Sequence, residues 1–139
     1  MCEVSNSYGQ EARAAAKFSQ VITYDKDRKP KVISVPGHSG RRYNVILRRV
    51  GKGLEAECLQ EIQFGFRACP SVHKVCYHIK AAIIVAASYS GFKVAFTQTE
   101  KDARRLRNLG MGANKVISKV GSEQWFVTFR KNTEKEDGN

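Results

Sequence analysis

Acidic side chains are scarce in this chain of 139 residues: 13 Asp and Glu stand against 24 Lys and Arg, a net charge of +11. That balance suits a polyanionic partner, nucleic acid first and an anionic membrane surface second. Long apolar runs are missing too. The longest, Ala81 to Ala87, falls far short of the roughly 20 residues that span a bilayer, so no membrane partner is expected. The stretch MCEVSNSYGQEARAAAKF lacks the basic start and apolar core of a signal peptide, which predicts an intracellular protein, cytoplasmic or, in a eukaryote, nuclear. Neither a Walker A motif nor a glycine-rich phosphate fingerprint is present. What the chain does have is a 42 % apolar content with 7 Phe and 5 Tyr, enough for one packed domain. A domain of this size still exposes much of its surface, and a structural metal would help hold it.

The hydrophobic pattern predicts an α+β fold: a small single domain of β-hairpins and a helix (residues 9–91), extended by a β-α-β-β segment (residues 92–131). Residues 1–8 are polar and read as a flexible N-terminus, and residues 132–139 (NTEKEDGN) as a disordered tail. Ala12, Ala15 and Ala16 recur at helical spacing, predicting a helix from Gly9 to Ile22. A strand follows over Lys31 to Val35. Arg41 to Val50 alternates with Tyr43, Val45 and Leu47 on one face, and Gly51-Lys-Gly53 turns it back into Leu54 to Gln60. Cys76 to Ser90 has one charged residue, Lys80, and predicts a buried helix stopped by Gly91. The extension reads as strand Phe92 to Phe96, a helix capped by Thr99 with Asp102 three residues on, and strands over Lys115 to Lys119 and Gln124 to Lys131.

Three of the four cysteines crowd between positions 58 and 76 with two histidines close by. Without an export signal such thiols are expected to be reduced, and their clustering points to metal rather than disulfides. Cys76-Tyr-His78 can aim two ligands at one point from the irregular first turn of a helix, and Cys69 lies seven residues earlier across a polar loop. A tetrahedral site needs a fourth ligand. If residues 54–60 and 64–69 form a hairpin, Cys58 stands opposite position 67 or 69, within reach of a shared ion. His73 is the alternative, making a local set with Cys69, Cys76 and His78. Thiolate-rich ligation favours Zn2+. Four protein ligands predict a closed, structural site, and no carboxylate has the His-Glu or His-x-Glu spacing of a metal hydrolase or deaminase. Cys76 and His78 also fit a thiolate nucleophile with its base, but metal explains their place at an apolar helix start better. No enzyme activity is expected.

Tyr43-Asn-Val45, Cys69-Pro70 and Cys76-Tyr-His-Ile-Lys-Ala-Ala82 together resemble a SWIM-type zinc finger, whose pattern is Cys-x-Cys, a loop, then Cys-x-His opening an apolar helix. The resemblance covers roughly residues 11–90. One position departs from it: the first cysteine would fall at Arg67, and Cys58 on the facing strand is the natural substitute. The resemblance implies nucleic-acid binding, as in transposases and recombination factors, or contact with a protein partner, and does not choose between them.

The basic residues form two clusters. Arg41, Arg42, Arg48, Arg49 and Lys52 flank the first hairpin, and Lys101, Arg104 and Arg105 share a face of the later helix. Their arginines suit phosphates, so they are the expected nucleic-acid contacts of an accessory factor in a larger machinery. Phe64, Phe66 and Tyr77 have rings able to stack on bases, but core positions are the simpler expectation for all three.

Overall fold

The computed structural model describes residues 2–37, 40–50, 53–70, 75–109, 116–120 and 124–130; at 2–9, 50, 108–109, 116–120 and 130 it describes the backbone alone. Three helices and eight strands alternate along the chain: α1 (Cys2–Lys17), β1 (Gln20–Tyr24), β2 (Pro30–Pro36), β3 (Arg42–Val50), β4 (Gly53–Ile62), β5 (Gly65–Ala68), α2 (Tyr77–Tyr89), β6 (Phe92–Thr97), α3 (Glu100–Leu109), β7 (Val116–Val120) and β8 (Gln124–Arg130). The fold is α+β.

All the strands share one sheet in the order β1-β2-β3-β4-β7-β8-β6, with β5 also paired to β4. Every pairing is antiparallel except β4 with β7, which meet in parallel at Leu54 and Val120. That contact merges the first hairpins and the β-α-β-β extension into a single sheet. Alternation along the strands gives the sheet two faces. Ile33, Val35, Val45 and Leu47 point to the face covered by α2, which itself packs on α1. Burying such side chains stabilises the fold by roughly 1.5–3 kcal/mol each. On β8, Phe126 belongs to this core, while its neighbour Val127 faces the other way and is fully buried with Ala103 of α3, outside that cluster. Helix α3 therefore covers the second face over β6, β7 and β8.

The first helix differs from expectation at both ends. It begins at Cys2, so residues 2–8 are helical, and it stops at Lys17. Gly9 is tolerated inside it, at a cost of about 1 kcal/mol relative to Ala. At the other end Ser19 Oγ donates to the Ala15 carbonyl at 2.8 Å, and Val21 and Thr23, β-branched and unsuited to helix, pair with β2 instead. The predicted ends of the other elements agree within a few residues. Thr99 caps α3, its Oγ1 accepting from the Asp102 N–H at 3.1 Å. Lys80, the one charge on α2, is half-buried over the Phe96 ring, 5.6 Å from its centroid. The disordered-tail reading of 132–139 lies outside the described residues, as do Gly51 and Lys52.

Candidate metal centre

The centre is assembled by strand register on one side and a helix start on the other. Cys58 of β4 stands opposite Val45 of β3, with its side chain on the face covered by α2. On its other edge β4 pairs with β5 through Leu59 and Ala68, and the ladder continues when the Cys69 N–H donates to the Cys58 carbonyl at 3.0 Å. Cys58 and Cys69 are thus cross-strand neighbours on one face, which settles the hairpin register at position 69 rather than 67. The chain then returns at Cys76, the N-cap of α2, held in an extended conformation with φ −74° and ψ 168°. His78 follows in the first turn, where β-region geometry at the cap turns both side chains toward the hairpin.

The ligand atoms of Cys58, Cys69, Cys76 and His78 all lie within 4.8 Å of one another, and Cys69 Sγ is 3.7 Å from His78 Nδ1. A tetrahedral site with metal–sulfur bonds of about 2.3 Å and metal–nitrogen bonds of about 2.0 Å has ligand–ligand edges near 3.5–3.8 Å, so the cluster needs only a slight contraction around an ion. Cys58, Cys76 and His78 are buried and Cys69 is half-buried. His78 Nε2 is sealed from solvent and finds no hydrogen-bond partner among the described residues. The nitrogen facing Cys69 is the other one, Nδ1, which is placed to ligate an ion beside the three sulfurs. Donor chemistry, spacing and burial all fit a metal ion. The alternative ligand His73 lies outside the described residues.

The thiols are electrostatically poised for this role. A hydrogen bond from the Cys58 thiol is the largest influence on Cys76, which is held down to about 4, with His78 adding to the effect against the opposing cost of burial. The same hydrogen bond and burial push Cys58 up. The two sulfurs share one proton, and an ion that displaces it lets both act as thiolates.

Behind the ligands runs a polar chain that the sequence did not disclose. The Tyr43 ring stacks on His78 with centroids 3.7 Å apart, and Tyr77 packs on the same imidazole at 4.1 Å. Gln60 Nε2 donates to Tyr43 Oη at 3.0 Å, and Arg67 Nε donates to Gln60 Oε1 at 2.7 Å. Burial is the main cause that raises the Tyr43 phenol above its usual range, so it stays protonated. Gly37 lies against the opposite side of the Tyr43 ring, and a Cβ there would run into it. The segment Ala56-Glu-Cys-Leu-Gln60 reads as polar, yet strand alternation buries Cys58 and Gln60 while Glu57 stays exposed. Period-two reading of β4 carried that signal.

The expected nucleic-acid contacts differ in their surroundings among the described residues. Arg42 is half-buried and structural: its Nε donates to Ser34 Oγ, and its Nη2 to the Ser34 and Phe18 carbonyls. Arg41 Nη1 reaches the Glu61 carbonyl at 3.4 Å. Arg48 lies 3.9 Å from Glu55, its cross-strand partner, and Arg104 grips Glu100 with two nitrogens. Arg49, Lys101 and Arg105 are exposed, and Lys52 lies outside the described residues. The aromatic expectation is corrected: Phe64 and Phe66 are exposed, because the β4–β5 hairpin projects them away from the helix layer, whereas Tyr77 is half-buried. No helix among the described residues is long and apolar enough to cross a membrane. Compared with protein-family models, curated proteins and solved structures, the chain matches none.

Proposed function

We propose that the chain is a zinc-finger protein without enzymatic activity, in which Cys58, Cys69, Cys76 and His78 hold a structural Zn2+ and the basic surface binds DNA or RNA through the phosphate backbone. The observation that carries the reading is the convergence of three thiols and one imidazole within 4.8 Å. Four protein ligands fill a tetrahedral ion and leave no position for a reacting water. Zinc there supplies a cross-link between the β4–β5 hairpin and the start of α2. The closing Cys-x-His resembles a SWIM-type finger, with Cys58 taking the place of the cysteine that Arg67 lacks. Thiolate ligation suits a reducing, intracellular compartment.

The nucleic-acid half of the reading is supported by the net charge of +11. Phosphate binding releases counterions, so affinity should fall steeply as salt rises. A gel shift against duplex and single-stranded nucleic acid over a salt series tests it, and absence of binding even at low salt contradicts it. The second reading is an adapter for another protein, favoured by Ile22, Tyr24 and Tyr89, which are exposed with the two tyrosine rings 5.5 Å apart. Such an apolar contact should persist at high salt.

A further inference from the structure

We propose that the β4–β5 hairpin is a base-stacking platform for single-stranded nucleic acid, with Phe64 and Phe66 as its stacking rings. The proposal rests on the nucleic-acid reading above and gives it a location and a substrate class. Strand β5 has no core of its own. All four of its residues are exposed, and among the described residues it pairs with β4 alone. A strand that buries so little is held in place only weakly by the hydrophobic effect. What fixes it is the ladder to β4, the Arg67–Gln60 hydrogen bond and Cys69 at its end, which belongs to the metal cluster.

The hairpin fixed in this way displays aromatic rings. Phe64, at the turn before Gly65 with its φ of +126°, is 89 % exposed, and Phe66 is 49 % exposed. Two exposed phenylalanines on one short hairpin are the informative exception to apolar burial. Beside Phe66 opens a groove of about 560 Å³ whose walls include Arg41, Glu61, Ile62 and Gln63. That volume admits a nucleobase.

The charges in the groove choose its occupant. Glu61 repels a phosphate, but glutamate and glutamine side chains pair with the edges of bases. Arg41 lines the same groove, placed to meet the backbone. A base laid on the rings with its phosphate turned toward Arg41 satisfies these groups. Only an unpaired strand offers its base faces, and stacking of this kind tolerates any sequence. An apolar protein segment would make no use of Arg41 or of the +11 charge.

Fluorescence anisotropy of the zinc-loaded full chain tests this, with labelled oligothymidine, a duplex of equal length and heparin, a polyanion without bases. The wild type should prefer the single strand to the duplex. Phe64→Ala and Phe66→Ala should each weaken oligothymidine binding roughly five- to hundredfold and leave heparin binding unchanged, with zinc content and circular dichroism as in the wild type. Phe64→Tyr and Phe66→Tyr, which keep a ring, should bind like the wild type. Undiminished oligothymidine binding by the double alanine variant overturns the platform while leaving the nucleic-acid reading intact, as does an equal loss toward heparin or failure of the tyrosine variants. A wild type that binds no nucleic acid at low salt overturns both.

Discussion

The metal corner and the α3 side of the sheet solve the same problem by different means. Beneath α3, Val127 and Ala103 are fully buried, and on the other face of β8 the Phe126 and Phe96 rings pack at a tilt of 50° with centroids 6.0 Å apart. That side is held by apolar area. At the metal corner, β5 is wholly exposed, and Gln60 and His78 are buried polar groups. On the zinc reading that corner is held by metal ligands and hydrogen bonds, so one protein should come apart in two ways depending on which is removed.

Metal removal should have the largest effect. Site formation is coupled to folding in small zinc domains, so chelation should release the hairpin and the first turn of α2 while β6, β8 and α3 stay folded. Hydrogen exchange resolves this: amides of β5 and of Tyr77 to Ile79 should lose protection, and those of Val94 and Val127 should keep it. Uniform loss of protection would mean that the two regions form one cooperative unit. Next in size is Val127→Ala, which leaves a cavity costing about 2 kcal/mol, read as a lower denaturation midpoint at unchanged zinc content.

Gln60→Leu and Arg67→Ala break the chain behind His78. Outer-shell partners are typically worth 10–100-fold in metal affinity, so each should weaken zinc binding in a competition titration, and a wild-type affinity would make the chain mere packing. Acidification should release the metal as well, because protons compete for the thiolates. In the metal-free cluster the proton on Cys58, whose thiol is pushed up by its hydrogen bond to Cys76 and by burial, is the one an ion must displace. A chromogenic chelator followed as pH is lowered should report release; binding independent of pH would contradict thiolate ligation. Smallest is Thr99→Ala, which removes the α3 cap at about 1 kcal/mol and should leave zinc affinity untouched.

Local chemistry was the part of this molecule that could be read from sequence. Cys69, Cys76 and His78 stand out by spacing alone, and Thr99 and Asp102 by their cap pattern. Cys58 needed a register, and register is a cross-strand property that two candidate positions, 67 and 69, left open. Tyr43, Gln60 and Arg67 meet only because β3, β4 and β5 are adjacent, so no local pattern joins them. Alanine spacing carries the predicted first helix on through residues 20–22, while the pairing with β2 that overrides it is nonlocal. The parallel contact of Leu54 with Val120 spans nearly half the chain and leaves no local trace. Phe64 and Phe66 were assigned to the core on residue type, which is blind to a hairpin that projects beyond the layer.

The ligand set is tested most directly by elemental analysis of the purified chain beside its Cys58→Ser variant. A single zinc per chain is expected in the wild type, with marked loss in the variant. Zinc unchanged in Cys58→Ser, or no metal in the wild type, would contradict the four-ligand centre.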